Sequence, residues 1–381
     1  MTFGERRRAE RLGLWAKTLR FHWGLALLVI AVAMVGFLML FSVANGALTP
    51  WARPQMIRFA VGFAMMLVVA MIDLRFWRAA APAIYGVSLA LLAAVEIVGV
   101  TGMGAQRWID LGAVRLQPSE VMKVAVVLAL AAYYAWLPPE KASRPFWLIP
   151  PALLILVPVG MVLRQPDLGT AILLIMGGVS VMFLAGVSLW YFAAGLVAAL
   201  GAVALVMMSQ GTEWQILEDY QFRRIAVFLD PSQDPLGAGY HITQSTIALG
   251  SGGLSGRGFM EGTQSRLNFL PENHTDFIFT TLAEEFGFVG AASLIALYLL
   301  IMVFCFASMA ANRGRFGALL TGGLAMTFFL FFAVNIAMVV GLMPVVGVPL
   351  PLVSYGGSAM LVLLFAFGLI QSAHIHRSGR N

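Results

Sequence analysis

The sequence predicts an all-α, polytopic integral membrane protein with about ten transmembrane helices and one large extracytoplasmic loop. Hydrophobic residues make up 60% of the chain and charged residues 11%, with a mean hydropathy of +0.87. That balance lies outside the range of soluble globular domains. The apolar residues also come in blocks too long for a soluble core, since residues 168–212 and 316–376 contain no Asp, Glu, Lys or Arg. These runs of 45 and 61 residues each hold two crossings, because one crossing takes roughly 20 residues at a 1.5 Å rise.

Taken in order, residues 1–22 form a basic amino-terminal segment carrying Arg6, Arg7, Arg8, Arg11, Lys17 and Arg20. The first apolar run, 23–43, exceeds the apolar core of a cleaved signal peptide and reads as a retained helix. Further spans are expected near 57–72, 79–100, 119–136, 146–163, 168–186, 189–209, 276–308, 317–341 and 353–373. An even count puts both ends on one side. Loops on the amino-terminal side carry 14 Lys and Arg against nine opposite, with Lys123 inside a span, so both termini, 1–22 and 374–381, are expected in the cytoplasm. The net charge of +6 then reflects cytoplasmic loops rather than nucleic-acid binding.

This orientation exports the informative material. The polar segment 210–275 faces outward, with the loops at 102–119, 164–167 and 341–354. Cytoplasmic loops are short and basic, with no Gly-rich phosphate loop and no room for a nucleotide domain. Matching broken helices in the two halves, a transporter signature, are not evident, and one membrane domain over 1–381 is expected. The single cysteine, Cys305, excludes an intramolecular disulfide and a thiolate-ligand metal centre.

Charges entering the spans are the candidate functional groups, because ionisable residues at membrane depth are costly and usually retained for a role. Glu120 and Lys123 share a helix face at i,i+3 and can pair; packing and substrate contact are equally good reasons for the pair. Asp167 opens the 168–186 span, where capping is the plain explanation. Glu284 and Glu285 lie about 12 to 13.5 Å beyond Asp276 along a helix, too far to serve the same substrate atom. In the outer segment, residues 228–241 read as successive turns. Residues 247–258 read as a short amphipathic element entering a glycine-rich loop, suited to flexible turns or to backbone approach to a phosphate.

Gly104-Ala105-Gln106-Arg107-Trp108, Gln117-Pro118-Ser119-Glu120-Val121-Met122-Lys123, Gln165-Pro166-Asp167-Leu168-Gly169-Thr170, residues 234–244, 250–258 and 271–287, and Pro349-Leu350-Pro351-Leu352-Val353-Ser354-Tyr355-Gly356-Gly357-Ser358 together resemble the SEDS proteins of bacterial shape, elongation, division and sporulation. Residues 234–241 and 349–354 are worded like the elongation branch, RodA, rather than the division branch, FtsW. The resemblance implies a ten-helix glycosyltransferase of the bacterial inner membrane that joins lipid II units onto a growing glycan strand for cell-wall elongation. It also implies a class B penicillin-binding protein as transpeptidase partner. The family's essential aspartate falls on Asp276 in His274-Thr275-Asp276-Phe277. Its Glu and Lys fall on Glu120 and Lys123, and its second Asp on Asp167. Arg224 matches the family's arginine position and Arg223 does not, while Arg164 stands where lysine is common.

Lipid II carries an α-linked disaccharide and the product linkage is β, so the displacement inverts. It asks for a base on the acceptor hydroxyl and positive charge at the departing diphosphate. Asp276 is the expected base, with His274 orienting it or the sugar. Its pKa is pulled down by the helix N-terminus and up by desolvation among Phe277, Ile278 and Phe279. Arg224, Arg107, Lys123 and Arg164 are the candidates for the diphosphate. The scattered acids define no metal site, yet leave room for a divalent cation to share that charge. Rival readings are a lipid II flippase and a non-catalytic scaffold. A flippase would need alternation between faces, against which the short, featureless cytoplasmic loops argue, and a scaffold predicts that Asp276→Asn is harmless.

Overall fold

The computed structural model describes residues 13–102, 105–110, 112, 115–212, 215, 222, 238–266 and 272–377. A short helix α1 (Leu14–Arg20) leads into α2 (Trp23–Val43), α3 (Ala52–Met71) and α4 (Leu74–Val98). Strands β1 (Val100–Gly102), β2 (Ala105–Asp110) and β3 (Arg115–Leu116) follow. Next come α5 (Pro118–Trp136), α6 (Pro145–Arg164), α7 (Leu168–Leu184), α8 (Leu189–Met208), α9 (Ala238–Ser251), α10 (Thr263–Arg266), α11 (Ile278–Ala311), α12 (Arg315–Val339) and α13 (Gly357–Ile375). Among the described residues nine helices are long and apolar enough to cross a membrane, and α7 is a shorter apolar helix of 17 residues. Together these are the ten expected spans. The sheet was not expected: β1, β2 and β3 pair antiparallel in that order, so the 102–119 connection is a small built platform.

The bundle is centred on α5, α12 and α13, the most enclosed of the spans. The largest pairings are α3 with α13, α4 with α5, and α12 with both α7 and α11. By contrast, α8 contributes no buried residue. Cys305 lies fully buried in α11. At one end of the bundle the Lys17 ammonium donates to Met71 O at 2.6 Å, and Gln371 exchanges two 3.0 Å bonds with the His22 backbone. Arg315 donates there to Leu137 O and Ala185 O. The bonds to Met71 O, Leu137 O and Ala185 O close helix C-termini, whose last carbonyls lack partners within the helix, and those to His22 close the N-terminus of α2. The opposite end carries the sheet, the 165–167 turn, the 272–277 turn and the 341–356 connection.

Two irregular segments run against the spans, and both are satisfied by protein, as backbone at membrane depth must be. The first is the 349–356 connection, which enters beside α2. A side chain at Gly36 would meet Val353 Cα at 2.7 Å and Leu352 O at 2.8 Å, so glycine is what admits it. The second is residues 252–258, which splint a break in α11. Gly287 has φ 65° and ψ −163°, outside the helical region. The break frees backbone groups on both sides, and the loop takes them up. Arg257 N and Gly258 N donate to Glu284 O and Glu285 O at 3.0 and 3.1 Å. Phe288 N and Val289 N donate to Gly253 O and Leu254 O at 2.9 and 3.1 Å.

Two amides of the glycine-rich loop serve α11, so this stretch acts as a backbone splint for that helix. Glycine is required where the chains touch, since a Cβ at Gly256 would fall 2.1 Å from Glu285 O, at a φ of +80°. Gly256→Ala is expected to destabilise the fold by roughly 2 kcal/mol or more, from overpacking and strain. Gly250→Ala, with open space around its Cβ, should stay neutral or gain up to about 1 kcal/mol of helix propensity. Thermal unfolding in detergent compares the two.

Candidate active site

The 272–277 turn is locked before it presents a side chain. Glu272 O accepts from Thr275 N and Phe277 N, both at 3.2 Å, and Thr275 Oγ1 donates to Glu272 Oε2 at 2.8 Å. Three long-range contacts fix the turn to the bundle. Asn335 Nδ2 donates to Asp276 O at 2.8 Å and to Val348 O at 2.7 Å. Ser354 Oγ donates to Thr275 O at 2.6 Å, and Tyr355 N donates to His274 O at 2.9 Å. Gln55 supports the same segment, donating to Ser354 O at 2.9 Å and accepting from Gly356 N. The backbone on both sides of Asp276 is therefore held by groups from α3, α12 and the 348–356 segment.

Asp276 itself is half-buried, and its carboxylate accepts no hydrogen bond from any described residue. Helix α11 starts two residues later, with Phe277 as N-cap and no side-chain cap bond, so capping does not explain the aspartate. Desolvation by burial, then the negative charges of Glu272 and Asp167, push its carboxyl up to about 7. The opposing pulls foreseen at this position resolve upward, because burial and like charge both disfavour the ionised form. His274 stacks on Trp51, ring centroids 3.9 Å apart at 17°. Burial lowers its pKa and so favours the neutral imidazole, with Glu272 opposing.

Asp167 caps α7 as expected, accepting from Thr170 N at 3.1 Å and Thr170 Oγ1 at 3.0 Å. It is also a junction. Gln117 Nε2 donates to it at 3.2 Å and the Arg107 guanidinium lies 4.0 Å away. Arg107, presented by β2, further donates to Gln165 O at 3.0 Å and to Pro166 O. Gly169 lets this junction approach the segment that lies against the Asp276 turn. A Cβ at Gly169 would meet Val346 O at 2.5 Å, and one at Gly347 would lie 3.6 Å from Asp276 Oδ2.

Glu120 and Lys123 form the expected pair, 2.7 Å apart and buried, with the ammonium 4.0 Å from the Phe331 ring centroid. They line a pocket with Gln55, Phe331, Leu352 and Ser354 among its walls. Asp276 does not line it; the cavity and the turn share Gln55 and Ser354. Arg164 is exposed at the end of α6 and belongs to neither group. Arg224 lies outside the described residues, as do Arg223 and residues 228–237. Among the described residues no group of three or more His, Cys, Asp or Glu could hold a metal ion.

Trp51, Gln55, Asn335 and Tyr355 were not singled out from sequence. Gln55 and Asn335 carried a usable signal, as buried amides in apolar helices, which need internal partners. Removing one negative neighbour tests the electrostatics. Glu272→Gln, which retains an acceptor for Thr275, is expected to lower the Asp276 midpoint from about 7, read by carboxyl-carbon NMR of labelled aspartate.

The chain matches the FtsW/RodA/SpoVE profile, described as cell cycle protein, over residues 19–379. It is 44% identical over 353 residues to the peptidoglycan glycosyltransferase MrdB of Escherichia coli K12, covering 92% of each chain. A probable peptidoglycan glycosyltransferase FtsW of Trichlorobacter lovleyi is 36% identical over 362 residues, 91% of each chain. Among solved structures, one chain comes from a peptidoglycan synthase complex that coordinates polymerization and crosslinking. It superimposes with a TM-score of 0.80 at 33% identity, over 94% of this chain and 99% of that one. The rod shape determining protein RodA of Thermus thermophilus gives a TM-score of 0.70 at 30% identity, over 94% and 98%. With residues 19–379 matched in sequence and 94% of the chain matched in space, the chain belongs to the FtsW/RodA/SpoVE family.

Proposed function

We propose that the chain is a peptidoglycan glycosyltransferase of the elongation type, a multi-pass protein of the bacterial cytoplasmic membrane that polymerises glycan strands from lipid II at the outer face. The observation that carries this is Asp276: an aspartate whose carboxylate has no hydrogen-bond donor among the described residues, on a turn fixed from three sides, pushed by burial and like charge up to about 7. A general base works best when its pKa lies near the working pH. In the displacement the acceptor hydroxyl oxygen attacks the donor's anomeric carbon, its proton passes to Asp276, and the diphosphate leaves with the bonding electrons. Arg107 and Asp167 shape the same face, with His274 packed flat on Trp51. Lys123, Arg164 and Arg224 remain proposed substrate contacts, Lys123 and Glu120 from the cavity.

The chain forms one membrane domain in this reading, with 1–22 and 374–381 in the cytoplasm and 210–275 outside. The short basic loops support that orientation. The solved complex, a peptidoglycan synthase coordinating polymerization with crosslinking, supports a class B penicillin-binding protein as partner. Among the described residues no group of acids forms a ligand set, and a divalent cation sharing the diphosphate charge with the basic side chains stays part of this reading.

Purified protein given lipid II in detergent tests the reading, with and without the penicillin-binding protein. Glycan strands are expected from wild type, and a lack of product in both conditions overturns the assignment. Asp276→Asn should lower polymerisation by at least about 100-fold with an unchanged unfolding temperature; retained activity removes Asp276 from the base role. The base form of Asp276 accumulates as pH rises through its pKa. Turnover by wild type is therefore expected to climb across a limb near pH 7, and a flat profile between pH 6 and 8 counts against base catalysis.

A further inference from the structure

The cations at the site end of the molecule are committed unequally. Arg107 is spent on Asp167 and two carbonyls, and Lys123 on Glu120. Arg58 is different. It sits in α3 six residues beyond Ala52, about 9 Å along the helix, and no carboxylate among the described residues lies within ion-pair distance. Its Nη1 is buried without a hydrogen-bond partner. A cationic donor withdrawn from water and left unpaired is costly, and more so inside a membrane-spanning helix.

Its surroundings hold the guanidinium in place without neutralising it. Arg58 Cζ lies 4.8 Å from the Tyr355 ring centroid, a cation–π seat that anchors the guanidinium without supplying a hydrogen-bond acceptor for its Nη1. Tyr355 meets Trp51 edge-on at 4.9 Å, Trp51 stacks on His274 at 3.9 Å, and His274 stands two residues before Asp276. A continuous ladder of rings thus runs from the free cation to the catalytic turn. Three residues earlier on α3, Gln55 holds Ser354 O and Gly356 N. The segment that carries Tyr355 is therefore tied to the helix that carries Arg58.

We propose that Arg58, seated on Tyr355, binds a lipid-borne phosphate at the margin of the Asp276 site. The choice of ligand rests on the glycosyltransferase reading and on depth. At about a turn and a half into a spanning helix, the anions available in quantity are lipid phosphates, whose oxygens match the guanidinium fork. Two sources carry that chemistry: the polyprenyl diphosphate of the glycosyl substrate, and the headgroup of a bilayer phospholipid.

The test uses the full chain in phospholipid-free, non-ionic detergent, and reads thermal stabilisation on titrating a polyprenyl diphosphate or phosphatidylglycerol, with polyprenol as the tail-only control. For at least one phosphate lipid, Arg58→Gln is expected to raise the half-saturating concentration about tenfold, with Arg58→Lys less affected. A loss confined to the polyprenyl diphosphate assigns the site to substrate, and a loss confined to phosphatidylglycerol assigns it to the bilayer. Should Arg58→Gln fail to fold, Tyr355→Leu, which removes the ring face, should weaken the same lipid several-fold while Tyr355→Phe does not. Wild-type titrations of both lipids by the folded variants overturn the proposal, as does an equal loss for polyprenol. Binding is read without turnover, so this outcome is separate from whether the wild type polymerises lipid II.

Discussion

Backbone inside an apolar bundle must find every hydrogen-bond partner within the protein, and the whole site depends on how the 348–356 segment meets that demand. Prolines 349 and 351 bring no amide to satisfy. The carbonyls are met one at a time from neighbouring elements: Val348 O by Asn335, Pro351 O by the Tyr298 hydroxyl at 2.6 Å, and Ser354 O by Gln55. Leu350 N finds Ser354 Oγ at 2.8 Å. The same groups reach onward, since Asn335 also holds Asp276 O and Ser354 also holds Thr275 O. Satisfying the irregular segment and positioning the aspartate are thus one construction, and loss of either amide would loosen both.

Charge is distributed to the same effect. Each of the other acids described near the site has a partner: Glu120 has Lys123, Asp167 has Thr170, Gln117 and Arg107, and Glu272 has Thr275. Asp276 alone receives no donor among described residues while facing the fields of two like charges. In a low-dielectric setting that combination raises proton affinity without any dedicated residue. The fold sets a base for neutral pH largely by withholding partners.

Features governed by local rules were legible in the sequence. The spans follow from uninterrupted apolar runs, the Glu120–Lys123 pair from its i,i+3 spacing, and the Asp167 cap from an acid preceding a helix. The candidate base stood out as a carboxylate at the polar-to-apolar junction. What escaped was set by distant partners. The contacts of Gln55 with Ser354 and of Trp51 with His274 join residues more than 200 positions apart, and nothing in a short window encodes them. The 252–258 loop misled for the same reason, because its glycines answer to the backbone of α11 rather than to their own turns. The strands at 100–116 were hidden by brevity: β1 and β3 span three and two residues, too few for an alternation to register.

The lone, fully buried Cys305 makes the chain behave toward water-soluble thiol reagents as though it contained no cysteine. Reporter groups can be introduced one at a time on an otherwise unmodified protein. An exposed residue between α2 and α3, Ala47→Cys, and one at the opposite end of the bundle, Glu140→Cys, would each carry a single label. The natural sequence is thereby already a background for mapping which end of the bundle faces which compartment in intact cells.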